Sequence, residues 1–445
     1  MDGAGGSVYT QPASRVARVS RPVPLDIPVL LDRLCYRYPS LLVDSVVEHV
    51  PGRRIVAVKN VTVNEDYFQG HFPGTPLMPG VMMIETLAQV ATLLLLDEGG
   101  EAPTRRAVLR GVNDAKFRRQ VVPGDRLRLA VTRERERRGL AVARGVATVA
   151  DRAVAEAELL LGIEYAEPEV HPTAVVHPGA VIGAGTVVGP YAVIGPEVRL
   201  GRGTRVGASA VIDGDTELGD DCHVLSFASV GQIPQDLKFR GEATGLRIGH
   251  RNVFREFVTI HRGTRGGGGL TRIGDDNVFM AYAHVAHDCA IGNKTLFGNG
   301  ATLGGHVVVE DGATISAGSG VHQFCHVGRQ AFIGGYTVVT RDALPYAKTV
   351  GNRARVYGLN RIGLERRGVS QQTIAKLKRA FRYLLQSKLN TSQALQRIDS
   401  DPDLDCSEVA HLVEFIRESR RGSRRGVTLR RPLGRAEPVE SENRD

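Results

Sequence analysis

Residues 273–292 read IGDDNVFMAYAHVAHDCAIG and open a hydrophobic ladder that continues to Val339. An aliphatic residue or Phe recurs at every sixth position, at Ile273, Phe279, Val285, Ile291, Phe297, Leu303, Val309, Ile315, Val321, Val327, Ile333 and Val339. A period of six matches neither the helical repeat nor the two-residue alternation of a strand. It predicts a parallel β-helix in which each hexad forms one side of a coil. Three sides make a coil, so residues three hexads apart should stack at roughly 4.8 Å.

An earlier part of the same ladder begins about a hundred residues upstream. Its rungs are Val170, Val176, Ile182, Val188, Ile194, Leu200, Val206, Ile212, Leu218, Val224 and Val230. The next positions in phase, Asp236 and Glu242, are charged, so we expect the chain to leave the coil there in a loop. The ladder returns at 248–260 and loses its phase across 266–269, which predicts a second loop. Loops that interrupt a solenoid often form its binding face.

Composition excludes several classes of protein. The chain has 445 residues, 42% hydrophobic and 24% charged, which are ordinary values for globular domains. Its net charge of +9 arises largely from arginines in 417–435, and no aromatic residues interleave with them as in nucleic-acid motifs. The five cysteines form no CxxC pair, which indicates reduced thiols and a cytoplasmic location. No apolar run is long enough to span a membrane.

The N-terminal third has a different pattern. Pro79 opens a run to Leu96 that is apolar nearly all round, which predicts a buried helix. Strands are predicted on both sides of it, within 41–63 and at 107–112, 126–133, 140–149 and 153–161. A single buried helix wrapped by an antiparallel sheet is the hotdog fold.

Glu85 lies in the middle of this apolar helix, where a carboxylate is costly unless it is paired or protonated. One interpretation is structural, a narrow polar stripe shared with Gln89 one turn later. The other is catalytic, because His71 lies between glycines on a loop just before the helix. A histidine and a carboxylate of raised pKa form a general acid/base couple that removes an α-proton and expels a β-hydroxyl.

The motifs of this region are Gly70-His71-Phe72-Pro73-Gly74, Pro79-Gly80-Val81, Glu85 and Gln89. They resemble the 3-hydroxyacyl-acyl-carrier-protein dehydratases of the FabZ family, from about Ile27 to Tyr165. One departure is Tyr36, where the family usually has His. The resemblance implies that His71 and Glu85, from opposite protomers of a dimer, dehydrate a (3R)-hydroxyacyl thioester to the trans-2-enoyl thioester.

Four histidines, His284, His287, His306 and His322, should gather along one edge of the β-helix. We expect no metal site, because Cys289 near His284 and His287 has no second cysteine pair at zinc spacing. Each histidine taken alone can also be structural, bonding the backbone at a corner. His287 followed by Asp288 matches a base and the group that orients it. The pair Gly304-Gly305, opposite His287 and one coil on, offers a bare backbone amide to an oxyanion.

The surrounding motifs are Gln232-Ile233-Pro234-Gln235-Asp236-Leu237-Lys238, Ala283-His284-Val285-Ala286-His287-Asp288, Val321-His322-Gln323-Phe324 and Arg366-Arg367-Gly368. They resemble the UDP-N-acetylglucosamine acyltransferase (LpxA) family over about Val170 to Gly422. The resemblance implies that His287 deprotonates the sugar 3-hydroxyl, Asp288 orients it and the Gly305 amide holds the thioester oxyanion. Contacts with the nucleotide sugar or the acyl-phosphopantetheine are implied for Asp236, Lys238, His284, His306, His322, Gln323, Asn360, Arg366 and Arg367. Gly335 stands where the family sets acyl-chain length, and its missing side chain implies a longer chain.

The predicted fold is an α+β hotdog domain followed by an all-β left-handed parallel β-helix of hexapeptide repeats with a C-terminal helical cap. The predicted segments are a disordered extension (1–26), the hotdog domain (27–165), a linker (166–169), the β-helix (170–345), a helical region (346–422) and a disordered tail (423–445). Ser370 is the predicted N-cap of one helix of the cap.

The two resemblances together imply a bifunctional enzyme of fatty acid and lipid A biosynthesis. Its partners are acyl carrier protein and UDP-N-acetylglucosamine, and neither reaction needs a cofactor. A D3 hexamer contains both two-fold and three-fold axes, so it can accommodate a dimeric hotdog domain and a trimeric β-helix in one assembly. An alternative is an acyltransferase that acts on a 3-amino UDP-sugar, with the hotdog domain serving only to dock the carrier protein.

Overall fold

The computed structural model describes residues 34, 36–96, 105–137, 140–420 and 426–427. The chain folds as two units, Met1–Glu167 and Pro168–Asp445, and each is described by itself. The division between them lies inside the segment 166–169. The predicted extension 1–26 and all of the predicted tail except 426–427 lie outside the described residues.

The described part of the first unit contains one long helix, α1 (Gly80–Leu96), and a six-stranded sheet. Its strands are β1 (Ser45–Val50), β2 (Arg54–Asn60), β3 (Arg105–Phe117), β4 (Arg126–Arg137), β5 (Leu140–Val149) and β6 (Arg152–Tyr165). The sheet order is β1-β2-β4-β5-β6-β3, and all neighbours are antiparallel.

Helix α1 is the core of this unit. Every residue from Thr86 to Leu96 is buried, since the sheet contacts the helix through β2, β3, β4, β5 and β6. A helix that is apolar on all sides is stable only when it is surrounded in this way. Truncating a fully buried side chain such as Leu94 to Ala is expected to cost roughly 2–5 kcal/mol. The predicted hotdog fold is confirmed.

The second unit is a stack of short parallel strands. In chain order they are β7 (Glu169–Val170), β8 (Val175–Val176), β9 (Val181–Ile182), β10 (Val187–Val188), β11 (Val193–Ile194), β12 (Arg199–Leu200), β13 (Arg205–Val206), β14 (Val211–Ile212), β15 (Asp215–Leu218), β16 (His223–Val224), β17 (Ser229–Gln232), β18 (Gly245–Ile248), β19 (Val253–Phe254), β20 (Thr259–His261), β21 (Leu270–Ile273), β22 (Val278–Phe279), β23 (His284–Val285), β24 (Ala290–Ile291), β25 (Leu296–Phe297), β26 (Thr302–Leu303), β27 (Val308–Val309), β28 (Thr314–Ile315), β29 (Gly320–Val321), β30 (His326–Val327), β31 (Phe332–Ile333) and β32 (Val338–Val339). Every third strand joins the same sheet, which gives the three sides of a parallel β-helix.

The predicted stacking is confirmed in register. Val285 pairs with Leu303 and Leu303 pairs with Val321. The rungs from 273 to 339 point inward and are at most 4% exposed. The rings of Phe254, Phe279 and Phe297 stack through the core at centroid distances of 5.0 and 4.6 Å.

Both predicted loops interrupt the coil where the ladder fails. Strand β17 ends at Gln232 and β18 begins at Gly245, so 233–244 lie outside the strands. Ile248 pairs with Ile273, so this coil contains 273 − 248 = 25 residues. An uninterrupted coil contains 18 residues. The additional residues form the second loop, which contains a 3-10 turn at Arg265–Gly267. The ladder therefore resumes one residue out of phase.

The C-terminal region corrects one prediction. The sequence predicts a helical region over 346–422, but this segment opens with an antiparallel hairpin of β33 (Ala347–Val350) and β34 (Arg355–Leu359). β33 pairs with β31 and so extends the β-helix, because its backbone groups complete the last exposed edge.

Up to Arg420, where the continuous described range ends, four α-helices follow the hairpin. They are α2 (Arg361–Arg366), α3 (Gln371–Leu385), α4 (Thr391–Asp399) and α5 (Ser407–Ser419). The side chain of Ser370 caps α3 by accepting from Thr373 N, as predicted. Sequence reasoning missed the short helices α2 and α4. No helix within the described ranges is long and apolar enough to cross a membrane.

Candidate active sites

His287 lies at the corner after β23 and is held by its neighbour Asp288. Its Nδ1 is 2.7 Å from Asp288 Oδ2, so Nδ1–H donates to the carboxylate and Nε2 keeps its lone pair. The Asp288 side chain is fully buried and also accepts from Thr264 N at 2.8 Å and Thr264 Oγ1 at 2.6 Å. Because its oxygens are satisfied in this way, the carboxylate is held beneath His287 in one orientation.

Gly305 lies directly against the His287 ring. A Cβ at Gly305 would be 2.6 Å from His287 Cε1 and 2.8 Å from Nε2, so only glycine leaves room for the imidazole. Within the described part of the chain, the Gly305 amide donates to no acceptor. The His287 imidazole and an unused backbone amide thus belong to two residues in direct contact.

A second pair of imidazoles adjoins this site, with His284 on the same coil as His287 and His261 one coil below. His284 Nδ1 is 2.7 Å from Thr259 Oγ1, and its ring meets His261 edge-on at 4.9 Å. His261 is 5% exposed, and its Nδ1 has no hydrogen-bond partner among the described residues. Burial, together with charge on His284 and His287, lowers the pKa of His261 to about 4. Burial and then His287 also lower the pKa of His284, so both imidazoles are neutral at pH 7.

His306 completes the cluster from the coil above. Its ring is perpendicular to that of His287, with the ring centroids 5.2 Å apart, and stacks on the Phe324 ring at a centroid distance of 4.4 Å. The stacking arises because Asp288, His306 and Phe324 occupy the same corner of successive coils. Burial lowers the pKa of His306, against the opposing effect of Asp288.

The donor atoms of His287, Asp288 and His306 lie within 4.8 Å of one another, a spacing that a metal ion can use. The hydrogen bonds from His287 and Thr264 to Asp288 account for the same arrangement without an ion. Cys289, considered as a ligand from the sequence, points into the core, and its Sγ is 3.3 Å from Gly304 O. Its thiol lies on the opposite side of the backbone from the imidazoles.

The remaining predicted binding residues are more exposed. Asp236 and Lys238 lie in the loop 233–244, where Asp236 Oδ1 accepts from Lys238 N at 3.0 Å. Asp236 is close enough to His306 to affect the pKa of that imidazole. His322 and Gln323 are exposed one coil above His306, and His322 Nδ1 is 3.1 Å from Gln323 O.

Asn360, Arg366 and Arg367 lie at the two ends of α2. The Asn360 side chain caps the helix by accepting from Gly363 N and donates to Gln330 O at 3.0 Å. Arg366 is exposed, and the Arg367 guanidinium covers the backbone at Gly312. These residues do not contact the His287 cluster within this chain. A Cβ at Gly335 would meet only Ala317 O, at 3.5 Å, so the backbone there borders open space.

In the first unit, His71 and Glu85 are each fixed by a separate bond. His71 Nδ1 is 2.8 Å from Leu77 O, so it donates there and leaves Nε2 with its lone pair. Glu85 Oε1 accepts from Gln89 Nε2 at 3.0 Å. Gln89 is fully buried and also bonds Leu42 N and Ser40 O, so it is a support for Glu85 as well as part of a polar stripe. No bond joins His71 to Glu85 in the described chain.

Comparison with known proteins places the second unit in a family. An acyl-[acyl-carrier-protein]–UDP-N-acetylglucosamine O-acyltransferase from Anaeromyxobacter sp. (strain K) is 43% identical over 202 residues, which cover 44% of this chain and 75% of that protein. A relative of the same name from Myxococcus xanthus (strain DK1622) is 51% identical over 209 residues, or 47% of this chain and 81% of that protein. The chain belongs to the UDP-N-acetylglucosamine O-acyltransferase family.

Solved structures agree with this acyltransferase assignment. The LpxA structure from Acinetobacter baumannii matches with a TM-score of 0.56 and 37% identity, over 58% of this chain and 99% of that one. The Arabidopsis UDP-N-acetylglucosamine acyltransferase matches with a TM-score of 0.53 and 39% identity, over 58% and 99%.

Family profiles divide the chain in the same way. The bacterial transferase hexapeptide profile matches residues 270–305, and the profile of UDP-N-acetylglucosamine O-acyltransferase domain 2 matches 342–424. A FabA-like domain profile matches 34–158. The chain therefore carries a FabA-like hotdog domain ahead of its acyltransferase unit.

Sequence reasoning did not assign three residues that support these sites. Thr264 holds the acyltransferase dyad, but it lies in a loop whose path no periodicity predicts. His261 lies under His284. The sequence feature that could have indicated this position is that His261 comes at the end of a rung of the ladder. Gln89 was noted one turn after Glu85, although its bonds to residues 40–42 cannot be read from the sequence.

Proposed function

We propose that the second unit transfers a (3R)-hydroxyacyl group from acyl carrier protein to the 3-hydroxyl of UDP-N-acetylglucosamine. The observation that carries this proposal is the His287–Asp288 pair lying against Gly305, with His287 Nε2 available as a base and the Gly305 amide available as a donor. Family membership supplies the substrate class.

In the proposed reaction, His287 Nε2 takes the proton of the sugar hydroxyl as the oxygen attacks the thioester carbon. The carbonyl oxygen becomes an oxyanion that accepts from the Gly305 amide. Collapse of this intermediate breaks the C–S bond, and the imidazolium returns its proton to the departing sulfur. The products are the ester and the carrier thiol. Asp288 holds the imidazole and stabilises its charged form, without taking the proton itself.

The other residues would bind substrate. Neutral His284 and His306 can donate or accept hydrogen bonds beside the base, with Asp236, His322, Gln323 and Asn360 as further polar contacts. Lys238, Arg366 and Arg367 would neutralise a diphosphate with directed donors. The open space at Gly335 would admit a longer acyl chain.

Substitution of the base tests this proposal. His287→Ala should lower kcat of acyl transfer by roughly 10²–10⁴, the usual contribution of a general base, and leave nucleotide-sugar binding intact. Retained acyl transfer would refute the role of His287. Assays with UDP-N-acetylglucosamine and with its 3-amino analogue separate ester from amide formation, and exclusive use of the amine would identify a different acceptor.

We further propose that the hotdog unit dehydrates the (3R)-hydroxyacyl carrier protein to the trans-2-enoyl product. His71 and Glu85 each have one side held by the chain and one side available for substrate. His71 would remove the α-proton, and Glu85 would protonate the departing β-hydroxyl to release water. As the resemblance to the dehydratase family implies, the site would combine residues of two protomers.

The direct test is enoyl formation by His71→Ala and Glu85→Gln. Each change should lower the rate by at least about 10², as expected when one acid/base group is lost. Acyl transfer by the second unit serves as the internal control. If both variants dehydrate normally, the hotdog unit would be a carrier-protein docking module only.

A further inference from the structure

One lysine of the hotdog unit is buried. Lys59 lies near the end of β2 and is 2% exposed. It follows Ile55 and Ala57 at the two-residue period of a strand, and both of these belong to the core around α1, so the Lys59 side chain enters the same face of the sheet. A lysine is almost never buried to this extent unless it is paired, because its ammonium group loses its hydration.

The partner of this lysine is Glu65, six residues later in the chain. Lys59 Nζ is 2.6 Å from Glu65 Oε1, and the two side chains are 3% and 20% exposed. The ion pair therefore joins the end of β2 to the segment that follows the strand. A buried pair adds little stability by itself, since well-packed apolar side chains stabilise a fold equally well. The pair is better explained by the arrangement that it fixes.

Glu65 begins the short segment that carries His71. It is the N-cap of a 3-10 turn, Asp66–Gln69, and its carbonyl accepts from Phe68 N at 3.0 Å. Tyr67 O accepts from His71 N, also at 3.0 Å. These backbone hydrogen bonds overlap along the chain from Glu65 to His71. A shift of Glu65 is therefore passed on to the backbone that carries the imidazole.

The ion pair is the polar anchor of this segment. Among the described residues, it is the one hydrogen bond or ion pair that a side chain of 62–70 makes with a strand. Phe68 adds apolar packing, since it is 8% exposed in the core. Burial, and then the charge of Glu65, raise the pKa of the Tyr67 hydroxyl, so the carboxylate faces an enclosed region. A charge enclosed in this way is stabilised by the ammonium group of Lys59.

We propose that the Lys59–Glu65 pair is a positioning device for His71, because it fixes the turn that carries this residue to the sheet. Lys59 is a positioning residue and not a catalytic one, since its ammonium group meets Glu65 and its side chain has almost no exposed surface. The inference rests on the proposed dehydration for the role of His71. Hydrogen exchange of the segment 66–71 tests it apart from turnover.

The first test replaces both charges together, as Lys59→Met with Glu65→Gln. Removal of one partner would leave a buried charge unpaired and destabilise the unit, whereas removal of both avoids that cost. Hydrogen–deuterium exchange of the full-length protein, measured by mass spectrometry, should show the amides of 66–71 exchanging at least tenfold faster, with α1 unchanged. Unchanged exchange at 66–71 overturns the proposal, as does faster exchange throughout the hotdog unit.

The second test is turnover by the same double variant. Its kcat for dehydration should fall at least tenfold with KM nearly unchanged, because substrate still binds while His71 is held less closely in place. Glu65→Asp, which keeps the charge on a shorter side chain, should have an intermediate kcat. A wild-type kcat in the double variant, or a loss that appears only in KM, overturns the positioning role.

An exposed ion pair at the start of the same strand supplies the matched control. Arg54 Nε is 3.1 Å from Glu48 Oε1, and these side chains are 44% and 36% exposed. Arg54→Met with Glu48→Gln should leave hydrogen exchange, kcat and the melting temperature as in the wild type, because surface pairs contribute little. Equal losses in this control would overturn the proposal.

Failure of the proposed reaction gives a different result. If the wild type forms no enoyl product while exchange at 66–71 still rises in the double variant of Lys59 and Glu65, the pair keeps its role in holding the turn and the proposed dehydration is rejected. Acyl transfer by the second unit shows in every variant that the rest of the chain is folded.

Discussion

At the scale of single residues, the acyltransferase site depends on what surrounds the base. His287 is oriented by Asp288, and Asp288 is oriented by Thr264, so one imidazole is positioned through a chain of short hydrogen bonds. The neighbouring His284 and His306 are kept neutral by burial. Of the four imidazoles gathered here, those of His261, His284, His287 and His306, only that of His287 is bonded to a carboxylate that orients it.

Gly305 provides the most direct residue-level prediction. Gly305→Ala should lower acyl transfer by about 10², because the added methyl group would displace the His287 ring that now lies 2.6 Å from the Cβ position. Steady-state kinetics with the acyl carrier substrate measures the loss. Gly266→Ala, where a Cβ meets nothing within 4 Å, should behave as the wild type. Full activity in Gly305→Ala would contradict the placement of the base.

His261 predicts a dependence of stability on pH. Its pKa falls from 6.5 in the unfolded chain to about 4 in the fold, so between these values the unfolded state binds more protons. The free energy of unfolding should therefore decrease as pH drops from 6.5 to 4. His261→Phe should flatten this part of the curve, measured by denaturant titration. An unchanged slope would show that other groups cause the acid sensitivity.

At the scale of elements, we expect the loops and the end of the β-helix to carry the specificity of the acyltransferase unit. The loop 233–244 is fixed to the coil by Arg262, whose guanidinium fills the space beside Gly214 and lies 5.9 Å from the Phe239 ring. Arg262 N also donates to Gln232 O at 3.2 Å. This loop holds Asp236 and Lys238, so its order determines whether they face the site.

Removal of this anchor should loosen the loop and leave the coil intact. In Arg262→Ala, limited trypsin digestion should cut after Lys238 and Arg240 several-fold faster than in the wild type, because the loop loses its contact with Phe239. Arg199→Ala, an exposed cation on β12, is the matched control. Equal cleavage rates in Arg262→Ala and the wild type would mean that other contacts hold the loop.

At the scale of the whole molecule, the assembly remains a prediction from symmetry. The two family resemblances imply two-fold pairs of hotdog units and three-fold groups of β-helices, and a D3 hexamer provides both. Light scattering of the full-length protein should give six times the chain mass of 48.0 kDa. A species that is strictly trimeric would exclude this assembly and, with it, a dehydratase site shared by two protomers.

The sequence predicted the folds because both leave periodic signals. The six-residue ladder requires a coil with a buried rung on every side, and the all-apolar run to Leu96 requires a helix that is wrapped by a sheet. The charged positions Asp236 and Glu242 likewise predicted where the coil is interrupted. These inferences hold since each depends on residues close together in the chain, where burial and backbone geometry follow directly from the pattern.

The tertiary structure alone decided the contacts between distant segments. Thr264 meets Asp288 from 24 residues away, and Gln89 reaches Leu42 from 47 residues away. The sequence does not predict the hairpin at 347–359, because its short strands have no hexad period and are stabilised by pairing, β33 with β31 and β34 with β33. Such features arise from packing and loop closure, which depend on the whole fold rather than on any local pattern.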